Sequence, residues 1–112
     1  MFSEYKLKVS ALEKELEKFE VLIKFNDLIK NISFMEERFN TEGWTDVQAL
    51  QEYSKLVKKR NQYITLENSY IDLMELVNLA IEENESDLIN EIERDYISLT
   101  DMVREILKTV LR

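Results

Sequence analysis

At 112 residues the chain is one domain at most, since about 150 residues is usual for a domain. With 45% apolar residues, 34% charged residues and a net charge of −8, it is too apolar for a disordered acidic tail, too charged for a membrane protein and of the wrong sign for nonspecific nucleic-acid binding. The absence of His and Cys removes the usual proton carrier near neutral pH, imidazole or thiolate metal sites, thiol nucleophiles and disulfides, while one Gly and no Pro leave little material for phosphate-cradling loops.

The first segment is helical in pattern. Leu12, Leu16, Phe19, Leu22, Phe25, Ile29 and Ile32 recur at steps of three and four, which keeps them on one side of a helix. The step changes between residues 19 and 25, and Asn26-Asp27 follows. The spacing therefore predicts helix over 3–25 and 27–39, with a break near Asn26, where Asn26 or Asp27 can cap the second piece.

The clearest interruption is Asn40-Thr41-Glu42-Gly43-Trp44, because glycine reaches positive φ without steric cost. Thr45-Asp46-Val47-Gln48 fits a capping box, with the Thr45 hydroxyl on the amide of the fourth residue and Gln48 reaching back. A helix is predicted over 46–82. Its stripe is Ala49, Tyr53, Leu56, Tyr63, Leu66, Tyr70, Leu73, Val77 and Ala80, widened by Leu50, Val57, Ile64 and Ile71, which stand seven apart. At about 1.5 Å per residue such a helix reaches about 55 Å, longer than a compact domain of this size is wide.

Glu82-Glu83-Asn84-Glu85-Ser86-Asp87 breaks the pattern and predicts an acidic loop, whose carboxylates suit the positive end of the next helix. That helix, predicted over 87–111, carries Ile89, Ile92, Tyr96, Leu99, Val103, Ile106 and Val110 at alternating steps of three and four, a heptad seam. Lys108 and Arg112 stand where cations suit a helix C-terminus. Short connections make neighbouring helices antiparallel. The expected fold is all-α, a single domain over 1–112: an elongated antiparallel three-helix bundle or coiled coil, its first helix either continuous or broken near Asn26.

Few residues point to chemistry. Glu36-Glu37, Glu82-Glu83 and Glu91 with Asp95 are paired carboxylates, but acid–base work needs environments that push two pKa values apart, and these fall on predicted outer faces. A di-metal site in a bundle core uses Glu-x-x-His, which a chain without His cannot supply. No enzymatic activity, cofactor, metal or small-molecule ligand is expected. Lys55, Lys58, Lys59 and Arg60 form the basic cluster: either a contact for RNA phosphate or an acidic protein surface, or a solvated face whose stems shield the apolar stripe. Trp44 either plugs the end of the bundle, in which case its loss costs about 3–5 kcal/mol, or stands exposed as an interface anchor. Tyr53, Tyr63 and Tyr70 fit a core with wet hydroxyls. No apolar run approaches the roughly 18 residues of a membrane span, and Met1-Phe2-Ser3-Glu4-Tyr5-Lys6 lacks signal-peptide features, so a cytoplasmic protein without membrane contact is expected.

Taken together, Trp44-Thr45-Asp46 at a helix start, the long helix through Tyr70-Ile71-Asp72-Leu73-Met74-Glu75-Leu76, the acidic stretch Glu82 to Leu88 and a final heptad helix resemble the N-terminal domain of bacterial peptide chain release factors. The resemblance spans about residues 28–107 and is closer to the type that reads UGA and UAA. Gly43 departs from the family's aromatic or apolar residue, and Thr45 stands where the family has Asn. The resemblance implies a part in translation termination: a ribosome-docking module near the stalk base of the large subunit, linked to the release-factor GTPase, with no sequence-specific nucleic-acid recognition. It makes Trp44 and Asp46 signature residues. Peptide release in the family depends on a Gly-Gly-Gln loop, which a chain with one Gly lacks, so no catalytic residue carries over. The alternative is an unrelated coiled-coil adaptor or homodimeric scaffold, whose stripes pair between chains.

Overall fold

A computed structural model describes residues 2–111, in which the chain forms α1 (Phe2–Leu22), α2 (Phe25–Glu42), α3 (Val47–Glu83) and α4 (Ile89–Leu111), with a 3-10 turn at Ser86–Leu88 leading into α4. Arg112 and the Val110 side chain, assigned above to a helix end and a seam, lie outside the described residues. The described residues contain no strand. The molecule measures 57 × 28 × 19 Å with a radius of gyration of 17.9 Å, where a compact domain of this length has about 13 Å. It is the elongated all-α bundle the pattern predicts. Among the described residues no helix is long and apolar enough to cross a membrane.

The long dimension is α3, whose 37 residues no single neighbour covers. Its buried residues Ala49, Tyr63, Leu66, Leu73, Val77 and Ala80 follow steps averaging close to 3.5 rather than 3.6. A seam with that repeat drifts about 20° per heptad, so the buried face turns by about 90° along α3. The cover changes accordingly. Phe39 of α2 meets Tyr53, and Phe25 meets Tyr63. Further on, Tyr63 donates to Glu20 (3.1 Å) and Tyr70 to Glu13 (3.2 Å), which sets α1 antiparallel to α3. α4 returns beside both, closing one core from Val9, Leu12, Leu16 and Phe19 of α1, Tyr63 to Ala80 of α3, and Ile92, Leu99 and Val103 of α4.

The change of cover explains the break between α1 and α2. It falls at Ile23-Lys24 rather than near Asn26: Lys24 takes a left-handed backbone (φ 51°, ψ 60°), and α2 starts at Phe25. Continued three-residue steps would walk the stripe round the helix, and Leu22 is already 45% exposed. One left-handed residue, at a cost of about 1–2 kcal/mol, rephases the chain so that Phe25 and Leu28 face α3. Asn26 and Asp27 lie inside the first turn of α2 and do not cap it; Asp27 suits the dipole there.

The other termini obey local rules. The Thr45 capping box does not form. Asp46, one residue on, is the N-cap of α3, its Oδ1 accepting the Ala49 amide at 3.2 Å. Gly43 closes α2 at φ 98°, donating to the Phe39 carbonyl at 2.7 Å. Asn84 closes α3 in the left-handed region (φ 50°), and Glu85 donates to the Ala80 carbonyl at 3.1 Å, the bond of a Schellman end.

Two measurements test this core. Phe19 is 1% exposed and Leu7 73%. Phe19→Ala should lose about 3–5 kcal/mol in denaturant unfolding and Leu7→Ala within about 0.5 kcal/mol of nothing; equal losses would mean that α1 is packed on a different face. Burial, then the bond to Glu20, then the charge of Glu67 raise the Tyr63 phenol well above its ordinary value of 10.0. The unfolded chain therefore releases that proton from about pH 10 while the folded chain keeps it, so this contribution is whole below pH 10 and is lost as pH rises. Tyr63→Phe should flatten the alkaline fall in stability, and an unchanged alkaline slope would count against the assignment.

Candidate docking site at the helical tip

The turn between α2 and α3 builds the most defined polar and aromatic arrangement in the molecule. Phe39, 2% exposed, is the floor. Trp44 lies over it with ring centroids 4.6 Å apart, and Tyr53 stands edge-on to Phe39 at 5.6 Å and to Trp44 at 5.7 Å. Offset and edge-on contacts of this kind contribute about 0.5–1.5 kcal/mol each beyond area burial. The indole nevertheless keeps 46% of its surface exposed. Trp44 thus covers the end of the bundle without filling it, a position between the plug and the free anchor.

Asp46 serves two partners. While Oδ1 caps α3, Oδ2 lies 3.6 Å from Arg38, whose Nε donates to Glu42 at 3.1 Å. Each of these ion pairs is exposed and contributes at most about 1 kcal/mol, yet together they tie both strands of the turn. Burial first, then the Glu36 carboxylate, raise the Tyr53 phenol, so its hydroxyl stays protonated at neutral pH.

The basic cluster begins nine residues beyond Asp46 on α3, about 13 Å along the helix. Lys55, Lys58 and Lys59 are exposed, whereas Arg60 is half-buried and donates to Asn61 at 3.3 Å. Among the described residues none of the four takes part in an ion pair. Trp44 and Asp46 are therefore brought together at the tip, and the cations form a separate patch on the same half of the rod. Lys58 borders an open groove of about 800 Å³ between α3 and α4, with Val57, Asn61, Met102 and Ile106 along its walls.

Of the carboxylate pairs, Glu37, Glu82, Glu83, Glu91 and Asp95 are exposed, and Glu36 sits against Tyr53. No group of three or more acidic side chains is arranged to hold a metal ion among the described residues. The pattern reading missed Arg38 and Phe39 as parts of the tip. Phe39 stands seven residues after Ile32 on the α2 stripe, which was the available signal.

Because half of the indole stays in water, Trp44→Ala should cost about 1–2 kcal/mol rather than the roughly 3–5 kcal/mol of a buried ring. Phe39→Ala, by contrast, should reach that larger range. Thermal unfolding of the two variants separates them, and a Trp44→Ala loss as large as that of Phe39→Ala would mean a filled, not a covered, end.

Compared with known proteins, the chain matches no family model, no curated protein and no solved structure.

Proposed function

We propose that this chain is a docking module without enzymatic activity, of the kind that projects from bacterial peptide chain release factors, and that it serves translation termination in the cytoplasm by facing the ribosome. The observation that carries the reading is the tip. The Trp-x-Asp element, which with the acidic-loop spacing carries the resemblance to release factors, forms an aromatic end of tilted and edge-on rings on a 57 Å rod, with Asp46 capping α3 and half of Trp44 exposed. An exposed Trp on a rigid base suits burial by a partner, because tryptophan gives large contact area at little entropic cost. The unpaired lysines on the same half suit ribosomal RNA phosphate or an acidic protein surface. By the same resemblance, the partners are the stalk base of the large subunit and the release-factor GTPase.

A second reading, a coiled-coil adaptor or homodimeric scaffold, is favoured by Ile64, Ile71 and Leu79 of α3, which are 40%, 42% and 47% exposed.

Pelleting with ribosomes decides between them. The full chain should co-sediment with large subunits, more weakly as salt rises, without promoting peptide release at a stop codon. Trp44→Ala and Lys55→Glu with Lys59→Glu should each weaken binding by about tenfold or more. A folded chain that stays in the supernatant at low salt would overturn the docking reading.

A further inference from the structure

The row that widens the α3 stripe does not enter the core as the rest of it does. Leu50 and Val57 are half-buried, Ile64 and Ile71 are 40% and 42% exposed, and Leu79 is 47% exposed. They follow one line down the side of α3 left open between α4 and the α1–α2 pair. Its charges are segregated along the helix. Of the charges nearest this row, Lys58 and Arg60 precede Ile64 and Glu67, Asp72 and Glu75 follow it, while Glu52, Lys55 and Lys59 stand on other sides of the helix; residues 61–66 are uncharged. None of these charges takes part in an ion pair within the described chain.

We propose that this face binds a second copy of the chain, α3 against α3, antiparallel, with the two-fold axis at Ile64. The row is symmetric about that residue, since Val57 and Ile71 each stand seven positions away. Ile64 then meets the partner's Ile64, Val57 meets the partner's Ile71, and Leu50 comes opposite the partner's Asn78, beside the partner's Leu79. This contact runs about 44 Å along the helix. Residues at heptad spacing on one helix face form such a seam, and charges flanking it set partner choice and direction. The flanks here select the antiparallel pairing. Lys58 comes within two positions of the partner's Asp72 and Arg60 within one of the partner's Glu67, whereas a parallel pairing would set Lys58 and Arg60 against their own copies. Asn61, facing the partner's Asn68, adds an amide pair that fixes register, as a seam asparagine does.

The pairing deepens the scaffold reading and is independent of ribosome docking, because it is measured on the chain alone. Sedimentation equilibrium should give twice the 13.4 kDa of one chain. Lys58→Glu and Asp72→Lys should each weaken self-association about tenfold or more, and mixing the two should restore it, a recovery that misfolded variants would not give. The chain has no cysteine, so introduced ones report register. Under mild oxidation Ile64→Cys should cross-link to itself, and Val57→Cys only to Ile71→Cys. A mass of 13.4 kDa at millimolar concentration overturns the proposal and leaves the face to another protein's helix. Self-cross-linking of Val57→Cys overturns the antiparallel register. Either result leaves the ribosome-pelleting outcome untouched.

Discussion

A 37-residue helix cannot be buried by one neighbour in a chain this short, and the rest of the structure follows from how α3 is covered. Its seam repeats at close to 3.5 residues, so the face that needs cover turns slowly around the axis. A straight partner would lose contact with it. α1 and α2 solve this in relay, separated by a single left-handed residue at Lys24, with Phe25 turned onto Tyr63 at 4.5 Å. α4 packs beside both α1 and α3, and the shared core of these three helices contains no buried residue of α2 among the described residues.

The electrostatics follow the same division. Among the described residues no charged side chain is buried, so the surplus of carboxylates stays at the surface, where those of α1 accept hydrogen bonds from Tyr63 and Tyr70 across the interface with α3. A phenol is a suitable donor here because it packs as an apolar ring and carries its polar atom at the rim. Among the described residues the lysines of α3 take part in no ion pair, and they gather on the half of the rod that carries the tip, where Lys58 borders the groove toward α4.

Much of this was legible in the chain. The four helical segments, the turn at Gly43 and the acidic interruption before α4 all stand in the spacing of apolar residues, because burial imposes the helical period directly on the sequence. Caps were less legible. Thr45 and Asp46 are adjacent, both can accept an amide hydrogen bond, and only the tertiary link from Arg38 to Asp46 distinguishes them. The change of step between residues 19 and 25 signalled a break, but not its place at Lys24, since lysine does not favour the left-handed region and the reason for it lies across the interface. Trp44 was legible as a residue at the end of the bundle, but its half-exposure depends on how the turn sets it against Phe39 and Tyr53 on the two flanking helices.

The widened stripe of α3 shows where pattern reading reaches its limit. A helical period identifies which residues share a side, not which helix covers them. Tyr63, Leu66, Leu73 and Val77 are covered by α1 and α4, whereas Ile64 and Ile71, one and two positions from buried residues, are exposed. A stripe too broad for its own bundle therefore divides into a core and a second, exposed face. That face is not random in composition: Leu50, Val57, Ile64 and Ile71 lie at heptad spacing, Lys58 and Arg60 precede Ile64, and Glu67, Asp72 and Glu75 follow it. A merely solvated surface has no need of such order, whereas an antiparallel copy of the same helix requires it.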